Sequence, residues 1–290
     1  MVEIAVNHSC FLGEGPVWDA KANTLLWVDI LVGDIHEFNP KTNSHQTIHT
    51  HQMVGAVTLC ANRDLLAALK TGLAKINRHT QEISIIAHPE PGLPANRFND
   101  GKCDPAGRFW IGTMAIDETP NAGSLYMLDA NHHVTKKVEG TSISNGMAWS
   151  ADNSTFYYID TPTQTIVAYN FDNEKGSISD KRATFKIDEK EGHPDGMTID
   201  DEGMLWVAHW NGWQVSRWNP ITGQKLFTLP MPVANITSCT FGGEDFQDLY
   251  ITTARKDLSP DDLEKQPLAG CLFVWKNTGY KGRPAVEFNG

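Results

Sequence analysis

Asn145-Gly-Met-Ala-Trp-Ser150 and Asp195-Gly-Met-Thr-Ile-Asp200 are two copies of one phrase: a polar head, a glycine and a short strand. The phrase opens again at Glu14-Gly-Pro-Val-Trp-Asp19 and Asn99-Asp-Gly-Lys-Cys-Asp104, and more weakly at Thr237-Ser-Cys-Thr-Phe-Gly242. Val54-Gly-Ala-Val-Thr-Leu59 keeps the frame without the polar head. Successive heads lie 40, 45, 46, 50 and 42 residues apart. A repeat of that length is the signature of a propeller, in which each unit is one four-stranded sheet. The expected fold is therefore all-β: a six-bladed β-propeller of four-stranded antiparallel blades around a central channel. If the phrase opens the innermost strand, rotation about the axis brings Glu14, Asn99, Asn145 and Asp195 to one mouth of that channel. Two carboxylates and two amides meeting there make a site for a hard cation.

The units also align internally. Asp104-Pro-Ala-Gly107-Arg-Phe-Trp110 superposes on Asp200-Asp-Glu-Gly203-Met-Leu-Trp206, and turns around Asn23 and Asn153 occupy the matching place in two other units. Gly and Asn tolerate the left-handed backbone that such hairpins require. The strands alternate and are rich in β-branched and aromatic residues, and no long apolar stripe of helical period occurs. The tryptophans fall mostly on strand positions expected to pack blade against blade. Val2-Glu-Ile-Ala-Val6 precedes the first phrase and has strand character. It is expected to close the last blade as its outer strand, giving one domain over residues 1–290.

Composition sets the outer limits. A net charge of −11 argues against nucleic acid or an anionic membrane as partner. No basic, apolar leader opens the chain and no stretch reaches the length of a membrane span. Cys10, Cys60, Cys103, Cys239 and Cys271 are odd in number and widely spaced, so buried thiols in a reducing cytoplasm are expected rather than disulfides. His45, His49 and His51 form a patch expected to lie exposed on the outer strand of the first unit; His193 and His209 flank the channel phrases.

Four stretches in this order resemble the senescence marker protein/gluconolactonase/luciferin-regenerating enzyme family, which includes regucalcin: Leu12-Gly-Glu14-Gly-Pro-Val-Trp-Asp19, Asn96-Arg97-Phe-Asn99-Asp-Gly-Lys through Met114, Ser144-Asn145-Gly-Met-Ala-Trp149, and Pro194-Asp195-Gly-Met197. The resemblance runs over essentially the whole chain. It implies a six-bladed propeller with one divalent ion, Ca²⁺, Zn²⁺, Mg²⁺ or Mn²⁺, held by Glu14, Asn145 and Asp195 with Asn99 beside it, and Asp195 acting also as general base. It implies hydrolysis of a small sugar-acid lactone, and the chain is expected to be a monomer or weak homo-oligomer. Asp117 falls where many members carry a Glu that binds sugar hydroxyls; Asp is one methylene shorter, and Glu118 stands next to it.

The residues agree with that picture on their own terms. Oxygen donors without His or Cys suit Ca²⁺, Mg²⁺ or Mn²⁺, and Zn²⁺ also accepts them. Arg97 and Asn99 alternate along one extended segment and so face one side; Arg97 offers a forked donor to substrate hydroxyls. Asp or Asn before Gly is ordinary turn chemistry, but Glu14 is not, and four heads in register exceed what turns require. Two other readings share the same ring: a non-catalytic calcium-binding or interaction propeller, and a paraoxonase-like ester or organophosphate hydrolase. Arg97 and Asp117 favour the lactonase, since a pure ion buffer needs neither.

Overall fold

The computed structural model describes residues 1–290 and forms six four-stranded antiparallel sheets arranged as the blades of a propeller. The innermost strands are Gly13–Asp19, Val54–Leu59, Asn96–Cys103, Ser144–Trp149, His193–Ile199 and Ile236–Gly242. Each begins at or just before a repeated phrase, so the phrase does open the channel-lining strand. The last blade runs Ile236–Gly242, Asp248–Thr253, Leu272–Trp275 and then Val2–Val6, the N-terminal strand pairing antiparallel with Leu272–Trp275. The one α-helix is the six-residue Pro260–Lys265, and no helix is long and apolar enough to cross a membrane.

Every inner strand slips register against its neighbour at the phrase itself: between Glu14 and Val17, Val54 and Val57, Phe98 and Gly101, Ser144 and Met147, Pro194 and Met197, and Ile236 and Ser238. A bulge of this kind breaks the in-out alternation and re-aims a side chain, here toward the axis. The glycine of the phrase has a separate purpose. A Cβ on Gly146 would come within 2.7 Å of the Asp195 carbonyl oxygen, and one on Gly196 within 2.2 Å of Ser238 Oγ. The inner strands therefore approach one another as closely as they do only because these positions lack side chains.

Six apolar clusters fill the six blade interfaces, with Trp27, Trp110 and Trp206 fully buried. The internal alignment reappears as identical bonding. Asp104 accepts from the Trp110 indole (2.9 Å) and from Arg108 Nε (2.6 Å); Asp200 accepts from the Trp206 indole (2.9 Å) and from Arg217 Nε (2.7 Å). The second oxygen of each Asp accepts backbone N–H groups of its own turn. One carboxylate thus holds a hairpin and fixes a core indole, which is why Asp and Trp recur at that spacing.

The stretch beyond Trp275, to which the sequence assigns no element, crosses the far end of the channel. Gly282 N–H donates to Phe246 O in the sixth blade, Arg283 reaches Asp201 of the fifth, and Phe288 pairs with Leu59 and Ala61 of the second. Asn289 N–H ends on Gly107 O of the third. Phe288 is completely buried in the cluster between the second and third blades. All five cysteines are buried and unpaired.

Candidate metal centre and substrate cavity

The re-aimed heads meet at the mouth opposite this tail. Glu14, Asn99, Asn145 and Asp195 are all buried, and with Arg97 they line a cavity of about 320 Å³. Glu14 and Asp195 both line it, close enough to influence each other's ionisation. Burial, and then the neighbouring Asp100, push the Glu14 carboxyl up to about 8; burial and Glu14 push Asp195 well above the usual carboxylate range. Gly15 N–H donates to one Glu14 oxygen at 2.8 Å.

The two amides are held by hydrogen bonds to each other and to neighbouring blades. Asn145 donates to Thr161 Oγ1 (2.8 Å), and Thr161 in turn donates to the Pro194 carbonyl, tying the fourth blade to the fifth. Asn99 donates to Ser144 O (2.9 Å) and Asn145 Oδ1 (3.2 Å), while its own Oδ1 accepts from Arg97 Nη1 (2.7 Å). Arg97 uses Nη1 for that bond and for Phe98 O, leaving Nε and Nη2 without a protein partner. Burial pulls its pKa down to about 10, against the opposing pull of Glu14, Glu118 and Asp195. Two facing carboxyls beside an amide oxygen are self-repelling as they stand, and an oxygen-only donor set of this charge fits a divalent cation.

Asp117 and Glu118 separate cleanly. Asp117 is exposed, and its Oδ1 accepts from the backbone and hydroxyl of Thr119, which hold its carboxyl below the usual range. The cavity wall is formed instead by Glu118, whose backbone is left-handed (φ 61°). Its carboxylate is 3.0 Å from Lys256 Nζ of the sixth blade, so the loop after Ala115 is tied across the mouth. Residues with β carbons at positive φ concentrate where geometry is imposed from outside. His193 also lines the cavity, with Nδ1 2.7 Å from Gln164 Nε2, as does Trp210. His209 does not: it is fully buried between Glu191 O and Ser216 Oγ, and burial lowers its pKa to about 4.

Sequence reading missed the floor of the site. Asp100, one residue past Asn99, sits inside the bulge and points down the channel, where it and Lys102 line a second chamber of about 190 Å³. Burial raises the Asp100 carboxyl, and Lys102 opposes that shift while donating to Met197 O at 2.8 Å. The Asn-Asp-Gly-Lys run looked like a turn; only the register slip shows that consecutive residues can both face the axis.

A family model described as the SMP-30/Gluconolactonase/LRE-like region matches residues 12–255, spanning all four heads. The chain belongs to that family. Regucalcin of Oryctolagus cuniculus is 40% identical over 294 residues, covering 100% of this chain and 98% of its own. Among solved structures, luciferin-regenerating enzyme superposes with a TM-score of 0.95 at 32% identity, covering 100% of this chain and 99% of its own. A calcium-binding protein, regucalcin, from Agrobacterium tumefaciens superposes with a TM-score of 0.95 at 28% identity, covering 99% and 97%. The chain is thus a six-bladed propeller of this family, and its Glu14, Asn99, Asn145 and Asp195 stand at the mouth of the channel.

Proposed function

We propose that the channel mouth is a metal-dependent active site that hydrolyses a sugar-acid lactone to the open aldonic acid. The observation that carries this reading is the meeting, in one small polar cavity, of two facing buried carboxyls, an amide oxygen and a guanidinium with free donors. Glu14, Asn145 and Asp195 would hold one divalent ion, with Asn99 beside them. When bound, such an ion polarises the lactone carbonyl and stabilises negative charge on its oxygen.

The remaining chemistry belongs to the chain. Asp195 accepts a proton from water as the water oxygen bonds to the carbonyl carbon. The bond from that carbon to the ring oxygen then breaks, and the proton passes to the ring oxygen as it leaves. General-base help of this kind is worth about 10²–10⁴-fold. Arg97 Nε and Nη2 donate to substrate hydroxyls or carbonyl, and Glu118 accepts from hydroxyls on the other wall. The volume, at the small end for ligand sites, suits a single sugar ring. Lining by Arg97, Glu118, His193 and Lys256 favours a hydroxylated substrate over the apolar esters or organophosphates that a paraoxonase-like site would take.

The test is proton release from glucono-, galactono-, xylono- and arabinonolactone by protein stripped with chelator and reloaded with Ca²⁺, Mg²⁺, Mn²⁺ or Zn²⁺. Metal-restored hydrolysis well above the spontaneous rate supports the reading. Tight metal binding without turnover of any lactone overturns it in favour of a calcium-binding module.

A further inference from the structure

A second cluster of metal-ligating side chains, none of which lines the channel mouth, lies at the seam where the ring closes. His8 and Cys10 belong to the link between the outer strand of the last blade, Val2–Val6, and the inner strand of the first, Gly13–Asp19. His36 projects from the third strand of the first blade, Asp34–Asn39. One ligand atom from each of the three lies within 4.8 Å of the other two. We propose that His8, Cys10 and His36 form a binding site for a borderline, zinc-class divalent ion that clasps the first blade to the last.

Packing alone explains a histidine against an aromatic ring, and His36 and His45 do stack on Trp27, at 4.8 and 5.2 Å. It does not explain the bonding of His36. The residue is 0% exposed, and its Nε2 is buried without a hydrogen-bond partner, a cost of about 1–3 kcal/mol in a native core. Its Nδ1 lies 3.0 Å from Thr47 Oγ1 and 3.2 Å from His45 Nε2. Both can accept, which allows the proton on Nδ1 and a lone pair on the orphaned Nε2. A metal at Nε2 would select that tautomer, with the other ring nitrogen held by Thr47 and His45 as in established histidine sites.

The other members are prepared in the same way. Burial, then His8 and His45, lower the His36 pKa to about 3, so its imidazole is neutral over the physiological range. Burial raises the Cys10 thiol to about 12 in the free protein, and metal binding would expel that proton to solvent. The resulting thiolate would accept the Trp27 Nε1–H, which already sits 3.4 Å from the sulfur. Asp29 and Asp34, whose charges both act on Cys10, supply further negative charge around the ion. His8 is exposed on its outer side with its ring 4.6 Å from that of His36, and zinc bonds of about 2.0–2.3 Å would require the three ligand atoms to draw together from their present spacing. Nitrogen and sulfur donors exclude Ca²⁺ and Mg²⁺, so the seam and the channel mouth would sort ions by softness.

Co²⁺ titration of the whole protein with excess Ca²⁺ present tests this directly. The channel mouth contains no cysteine among its liganding residues, so a thiolate-to-cobalt charge-transfer band can come only from a cysteine site. One equivalent of Co²⁺ should raise that band, Zn²⁺ should bleach it, and Cys10→Ser should abolish it while Cys271→Ser leaves it. His8→Ala, a surface change that cannot unfold the blade, should weaken Zn²⁺ affinity at least tenfold and remove the rise in melting temperature that Zn²⁺ gives the wild type. Absence of the band at stoichiometric Co²⁺, or a band and affinity unchanged in Cys10→Ser and His8→Ala, overturns the proposal.

Discussion

Replacing Glu14 by Gln should change the stability of this protein in opposite directions depending on whether divalent metal is present. The Glu14 carboxyl has a folded pKa of about 8 against 4.5 in the unfolded chain. A raised carboxyl carries no penalty below pH 4.5; the penalty grows as pH rises from there to about 8 and is then constant. Each pH unit crossed costs about 1.4 kcal/mol, so at pH 7 the folded state with chelator present carries an order-of-magnitude burden of about 3 kcal/mol from this group. Glutamine carries no charge, can keep the Gly15 N–H bond, and can donate to Asp195. In chelator at pH 7 the variant should therefore melt higher than wild type, by roughly 5 °C. It should also show a shallower decline in stability between pH 5 and 8 than the wild type, the remainder coming from the buried Asp195 and Asp100. With saturating Ca²⁺ the order should reverse, because the wild type gains binding energy that the variant lacks. Differential scanning calorimetry across pH, with and without chelator, reads both arms. A variant no more stable than wild type in chelator at pH 8 would show that burial beside Asp100 does not burden the Glu14 carboxylate as described.

Four other changes test separate parts of the site and scaffold. Asp195→Asn should cut lactone hydrolysis by at least 10³-fold and weaken metal binding in calorimetric titration; activity within tenfold of wild type would remove Asp195 from the mechanism. Arg97→Ala should lower kcat/KM about 10–100-fold, mostly through KM, with Ca²⁺ content unchanged, and loss of the metal there would mean that Arg97 serves the ion through Asn99. Glu118→Gln should raise KM, whereas Asp117→Asn should leave it within about twofold; the opposite ranking in steady-state kinetics would return the role to Asp117. Phe288→Ala should cost about 3–5 kcal/mol in urea unfolding, because the ring is wholly enclosed and cannot be replaced by solvent.

The ring and its ligand heads could be read from the sequence because a rotational repeat writes the same constraint several times. Glu14, Asn99, Asn145 and Asp195 occupy one register position, and chance turn chemistry does not place a Glu there. What stayed hidden depends on single events that the repeat does not copy. The bulge after Phe98 puts Asn99 and Asp100 both toward the axis, against the alternation that an ideal strand imposes. Glu118, rather than Asp117, reaches the cavity because one residue takes a left-handed backbone, which no pattern of residue types announces. The His-rich segment was legible only in part: His49 and His51 are exposed, but His45 is half-buried against Trp27 beside His36, a neighbour nine residues away. The chain beyond Trp275 carries no strand period because it bonds by isolated contacts to four blades.

The pairing of Val2–Val6 with Leu272–Trp275 also sets a timetable. Every residue from Asn7 to Cys271 is made between the two partners. At 5–20 residues per second the N-terminal strand waits roughly 15–50 s on the ribosome for its mate. Throughout that interval the first blade lacks a neighbour on one side, so Trp18, Leu25 and Trp27, which end packed against Tyr250 and Val274, remain uncovered. Ring closure thus waits on Leu272–Trp275, and a nascent chain stalled anywhere before Leu272 presents both a free strand edge and an aromatic face to whatever else is in the cell.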